Sequence, residues 1–170
     1  EILSETLYPM TRGRVISVND AALPRWEDLE EDGAPRQREA NFTWSDQIPT
    51  GNALLDGEWW PADTDQAWVS LEEEFAGDIG ATLGDRLSLR IGADALEVTV
   101  LNIRAVDWQS MRPNFFMVFP RQVLEAFPGM YMTSFRLLPE QKSLLNQLVG
   151  ILPTVTVIEL DIVIREMRVV

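Results

Sequence analysis

Residues 69–120 read VSLEEEFAGDIGATLGDRLSLRIGADALEVTVLNIRAVDWQSMRPNFFMVFP, and the order of signals in them decides the fold class. Ser70 and Glu73 match the S-x-x-E capping box, in which each side chain satisfies a backbone donor near the other. Leu71, Phe75 and Ile79 recur every four residues and give a short helix one apolar stripe. Gly80 stands where a left-handed residue is wanted at the helix end. Leu87, Leu89 and Ile91 then alternate with Arg86, Ser88 and Arg90, the pattern of a half-buried strand. Residues 92–95 (GADA) form a hairpin loop. The return strand puts Leu96, Val98 and Val100 on one face and then Leu101, Ile103 and Ala105 in the opposite phase. A bulge near Val100 or Leu101, or burial on both faces, explains that switch. An aromatic-rich loop follows, carrying Trp108, Met111, Phe115 and Phe116.

Working outward, residues 8–18 (YPMTRGRVISV) read as an extended segment. Residues 19–38 are acidic and irregular, with Asp28, Glu30, Glu31 and Asp32 close together. They suit an exposed excursion or a solvated helix over 24–31. Residues 41–44 are strand-like, 49–52 form a turn cluster, and Trp60 is biased away from helix by Pro61. On the C-terminal side, 115–119 read as a strand and Pro120 opens a short helix through Phe127. Residues 131–138 form a strand, Pro139 starts a helix with Leu144, Leu145, Leu148 and Val149 on one face, and 154–160 form another strand. That is a β-α-β unit, and it needs a second sheet segment to cover it. Residues 8–18 are the expected partner, in a sheet apart from residues 87–91. Asp161 caps a last helix over 162–170, with continuation of the strand as its rival. The class is α+β, in two lobes.

Composition narrows the chemistry. The chain has 170 residues, 46% apolar and 24% charged, with six Trp and a net charge of −13. A chain of this length buries roughly 70% of its unfolded surface and needs no staple. The negative field repels phosphate backbones, so nucleic acid is not the partner. There is no Cys and no His. Thiol chemistry, Ser-His-Asp triads and imidazole metal sites are therefore excluded. No run of residues is long and apolar enough to span a bilayer as a helix. A start at Glu1 fits a fragment of a longer protein.

Several segments together carry a resemblance. They are residues 8–15 (YPMTRGRV), 41–44 (NFTW), 57–61 (GEWWP), 83–85 (LGD), 106–111 (VDWQSM), 114–116 (NFF), 131–135 (YMTSF) and 153–158 (PTVTVI). In this order they resemble the periplasmic domains of FtsX/MacB-type ABC transporter permeases, in particular the YbbP-like ones. The resemblance implies a ferredoxin-like "porter" lobe interrupted by a β-rich "sabre" lobe. Residues 1–18 and 115–160 would form the first lobe, 19–114 the second, and 161–170 the start of a stalk helix toward the membrane. It implies a non-catalytic domain on the periplasmic side of the bacterial inner membrane, without cofactor. That domain would transmit motion or handle hydrophobic cargo. The implied partners are a cytoplasmic ABC ATPase subunit and a periplasmic esterase or thioesterase. The chain departs from the family in lacking an earlier porter strand and helix, and in ending before any span.

The residues themselves offer few sites. Glu72, Glu73 and Glu74 read as the acidic first turn of a helix rather than a carboxylate cluster. The acidic run at 28–32 lacks the alternation of a calcium loop. Trp108, Met111, Phe115 and Phe116 form either an interlobe seam or a partner contact, with burial of Trp108 expected from the seam reading. A free-standing lipid- or glycan-binding module, using Trp59, Trp60 or Trp108, is the alternative function. A carboxylate-only hydrolase would need two facing acids that no motif supplies.

Overall fold

The computed structural model describes residues 7–25, 37–110, 112–135, 137, 139–141 and 143–158. They fall into two compact units, with described residues 7–134 in the first and 135–158 in the second. The acidic run at 28–32, Met111 and the helix expected over 162–170 lie outside the described residues.

The first unit is built on β1 (Tyr8–Val18), β2 (Ala21–Ala22), β3 (Glu39–Trp44), β4 (Asn52–Gly57), β5 (Trp68–Glu72), β6 (Arg86–Ile91), β7 (Asp94–Val106), β8 (Met117–Phe119) and β9 (Met130–Met132). Helix α1 (Glu73–Ile79) follows β5, and α2 (Arg121–Leu124) follows β8. β1 pairs antiparallel with both β3 and β6. β3 runs parallel to β8, and β8 antiparallel to β5. β5 runs parallel to β7, and β7 antiparallel to β6. The circuit β1-β3-β8-β5-β7-β6 thus returns to β1 and closes a small mixed barrel. Closure removes the open edges that a sheet of this size would otherwise present. β4 extends from β7, while β2 and β9 extend from β1.

This topology corrects the pairing read from sequence. Residues 8–18 lie in one sheet with 86–91, in the register Val15↔Leu89 and Val18↔Leu87. Of the expected β-α-β strands, only a short one at 130–132 reaches β1, antiparallel, and 154–158 form no strand. The reason is length. β1 has eleven residues, enough to serve β9 at its start, β3 in its middle and β6 at its end. The sequence reading allowed it one neighbour set. Segments assigned to separate lobes therefore share one sheet.

The barrel interior is filled by Val15, Phe42, Val69, Leu71, Leu87, Leu89, Val98, Val100, Met117 and Phe119, all buried. Phe75 and Ile79 of α1 and Leu124 of α2 pack onto the same core. Gly13 is fixed by close approach: a Cβ there would lie 2.1 Å from Cε2 of Phe42. Of the two explanations offered for the β7 pattern, a register shift is present at this point, although the buried face keeps its phase. Val69 faces Val100 while Ser70 faces Asn102, so Leu101 is the extra residue on β7.

Helix α1 starts later than the capping box places it. Ser70 is buried within β5, and Glu72 is the N-cap, its Oε2 accepting from the Phe75 N–H at 2.8 Å. Strand pairing carries through Glu72, so a carboxylate takes the role read for the hydroxyl. At the other end, Gly80 is left-handed as expected, at φ 68°. In the second unit, Pro139–Gln141 form a 3₁₀ turn and Ser143–Ile151 form helix α3. No residue of α3 is buried, and Leu144 and Val149 are exposed.

Candidate functional site

The loop from β7 to β8 is pinned at its base. Asp107 N–H donates to the Gly51 carbonyl at 2.9 Å, and the Asp107 carbonyl accepts from Ser110 Oγ at 2.8 Å and Asn114 Nδ2 at 3.1 Å. The adjacent rings Phe115 and Phe116 leave in different directions. Phe116 is half-buried and stacks on Phe75 at 5.2 Å between centroids. Trp108 tilts against Phe116 at 4.9 Å and is 45% exposed. Beyond Phe75, the Arg38 guanidinium lies 5.6 Å from the ring centroid and pairs with Asp78. Phe115 is buried and faces Tyr8 at 6.2 Å. The structure thus joins Trp108 to Phe116 and separates Phe115 from both. Trp108 is more exposed than the sequence reading holds: its ring meets Phe116 at a tilt, and nearly half of its surface stays in solvent.

The inner face of β7 carries Asn102 and Arg104 in line with Val98 and Val100, all buried. Arg104 is the largest fully buried side chain. Its Nε donates to Ser70 Oγ at 3.0 Å, Nη1 to Asn52 Oδ1 at 2.6 Å and Nη2 to the Phe115 carbonyl at 2.6 Å. Burial pushes its pKa down to about 10, partly offset by the charge of Glu72, so it stays protonated at neutral pH. A buried cation persists only where hydrogen bonds and an opposing charge replace water. Asn102 Nδ2 donates to the Glu58 carbonyl at 3.0 Å, which ties down the chain after β4.

Next to this network lies a pocket of about 300 Å³ between the start of β1, the end of β3 and the loops at 45–52 and 113–115. Tyr8, Trp44 and Phe115 line it, with Asn52 and Asn114 among its polar groups. Asn52 Nδ2 reaches Asn114 Oδ1 at 3.3 Å. The 45–49 loop is held from behind by Trp60, whose indole donates to the Ser45 carbonyl at 3.0 Å, and by Trp59, which donates to the Asp46 carbonyl at 3.2 Å. Trp60 is buried and Trp59 stacks on it at 4.1 Å, so this pair braces a loop rather than offering a contact platform.

Arg104, Asn52, Tyr8 and Trp44 carry no site signal in the sequence, and Ser70 reads there only as a helix cap. The available signal was the alternation Val98, Val100, Asn102, Arg104, which continues one face inward. An arginine at an inward position is rare, so this alternation does not by itself mark a site. Among the described residues no group of three or more His, Cys, Asp or Glu is placed to hold a metal ion. No helix there is long and apolar enough to cross a membrane.

Comparison with known proteins gives an extended match among curated sequences. Over 166 residues the chain is 31% identical to the uncharacterized ABC transporter permease YbbP of Escherichia coli (strain K12). The match is to a transport permease. It takes in 98% of this chain and 20% of YbbP, so the chain spans about a fifth of that relative's length. YbbP is described as a permease, and this chain has no His or Cys to supply imidazole or thiol chemistry. A solved domain of a protein described as a permease, from Porphyromonas gingivalis, is 19% identical with a TM-score of 0.40, over 83% of this chain and 68% of that one. No family model matches.

Proposed function

We propose that this chain is a non-catalytic extracytoplasmic domain of an ABC transporter permease of the FtsX/MacB type. The observation that carries the reading is its 31% identity to the YbbP permease along 98% of its own length. On this reading ATP is hydrolysed by a separate cytoplasmic subunit. The domain stands on the periplasmic side of the inner membrane. The barrel transmits motion or handles hydrophobic cargo. Its interior supports that role, because close-packed side chains resist compression and pass displacement on. Trp108 and Phe116 are the contact surface for a periplasmic partner, which the resemblance makes an esterase or thioesterase. The exposed outer face of Trp108, backed by the Phe116–Phe75 stack, supports this assignment.

Topology is the direct test. The full-length reading frame is expressed, and protease is added to spheroplasts and to inverted membrane vesicles. Cleavage within this domain is expected in spheroplasts and protection in inverted vesicles. The opposite pattern would place the domain in the cytoplasm and sink the reading.

A further inference from the structure

We infer that the pocket beside Arg104 is a binding site for an uncharged sugar ring. The inference goes beyond the permease reading and stands or falls without it.

The lining decides the ligand class. It contains three aromatic rings and six amide or hydroxyl side chains, and no charged residue, in a chain that is 24% charged. Phosphates and carboxylates find no contacting cation there, and the net charge of −13 repels them. Cations find no acid. An acyl chain is best served by a lining that is apolar throughout, since each unpaired amide or hydroxyl it covered would lose its water. A sugar ring suits a mixed lining. Its hydroxyls take hydrogen bonds, and its C–H face meets the electron-rich face of an aromatic ring. A volume of about 300 Å³ is at the small end of ligand sites and suits one or two such rings.

The polar groups are also held ready. Arg104 donates to Asn52 Oδ1, which fixes that amide so that Nδ2 faces Asn114 and the pocket. Asn114 is fixed in turn, its Nδ2 donating to the Asp107 carbonyl and to Ser110 Oγ. Among the described residues the Tyr8 hydroxyl and the Trp44 indole N–H have no hydrogen-bond partner. Both line the pocket and are available to a ligand. Preset amides and open donors lower the ordering cost of binding.

The test is two-dimensional NMR on the ¹⁵N-labelled chain, titrated with cellobiose, with di-N-acetylchitobiose, and with decanoate as an apolar anionic control. The six Trp give six indole signals, and Trp44→Phe assigns the relevant one. At least one disaccharide is expected to shift the Trp44 indole and the Asn52 and Gln47 side-chain amides saturably. Tyr8→Phe is expected to weaken that binding about three- to tenfold, the usual worth of one neutral hydrogen bond. Gln47→Ala, on an exposed side chain, is the second variant should Tyr8→Phe disturb the fold. Absence of shifts with both disaccharides overturns the proposal. So do shifts centred on Trp59 or Trp108, or saturation of the same signals by decanoate at lower concentration.

Discussion

Arg104 is where the buried polar chemistry of the barrel converges. Truncating it leaves Ser70 Oγ, Asn52 Oδ1 and the Phe115 carbonyl without their donor, and removes a cation that interacts with Glu72. Arg104→Ala is therefore expected to cost about 3–5 kcal/mol, the range for breaking a buried charged network from one side. Urea denaturation measures it, and a midpoint indistinguishable from the parent would contradict the network's role. Asp85 acts at the surface and through pH. Its carboxylate accepts from Asn19 Nδ2 at 2.7 Å and from the backbone and hydroxyl of Thr82 at 2.7 and 2.9 Å. The Asn19 bond first, and then the Thr82 backbone bond, hold its pKa below the usual aspartate value. With the folded pKa depressed, the stabilisation is fully present above the ordinary aspartate range. It is lost as pH falls through the lowered value. Acid denaturation of Asp85→Asn should show a flatter pH dependence than the parent between those limits. An unchanged profile would remove Asp85 from the account.

At the scale of elements, two glycines give opposite predictions. Gly13→Ala puts a methyl 2.1 Å from Phe42 and should cost about 1–3 kcal/mol, as overpacking does. Gly77 lies within α1, and a Cβ there meets nothing within 4 Å. Gly77→Ala should gain about 0.4–1 kcal/mol by restricting the unfolded chain. Thermal melts of the two variants check both signs, and a shift of the same sign in each would contradict the packing described. The elements whose signals were local were legible in sequence. β6 followed from strict alternation and the α1 terminus from Gly80, while the inward face of β7 runs on through Asn102 and Arg104 without the change of phase its apolar residues suggest. Two features were not local. Whether Ser70 caps a helix or ends in a strand depends on β7 and β8 pairing on either side of it. The fate of residues 154–158 depends on a neighbouring strand that periodicity alone does not supply. The pocket was illegible for a similar reason. Its walls come from residues near 8, 44, 52 and 115, which only barrel closure brings together.

At the scale of the whole molecule, the composition already set what the barrel does not do. Without His or Cys, imidazole and thiol chemistry are closed to it, and the roles its aromatic cluster offers are contact and packing. Trp108 tests which of these matters. As a plug buried on all sides it would cost about 3–5 kcal/mol to truncate. Its ring is instead 45% exposed and touches Phe116 on one side. Surface positions outside the core shift stability by about 0.5 kcal/mol or less. Trp108 still covers part of a half-buried ring, so Trp108→Ala is expected to fall between these limits, near 1 kcal/mol. Interface energy concentrates in large aromatic side chains that fit a partner's pocket. On the proposed reading, the same substitution should therefore impair partner binding by the full-length protein far more than it impairs the fold. The paired measurement is a denaturation midpoint on this chain and a partner-binding or transport assay on the whole protein. A small loss of stability with a large loss of binding supports Trp108 as a contact. A loss of several kcal/mol with binding unaltered among the folded molecules would return it to the core and end the contact reading.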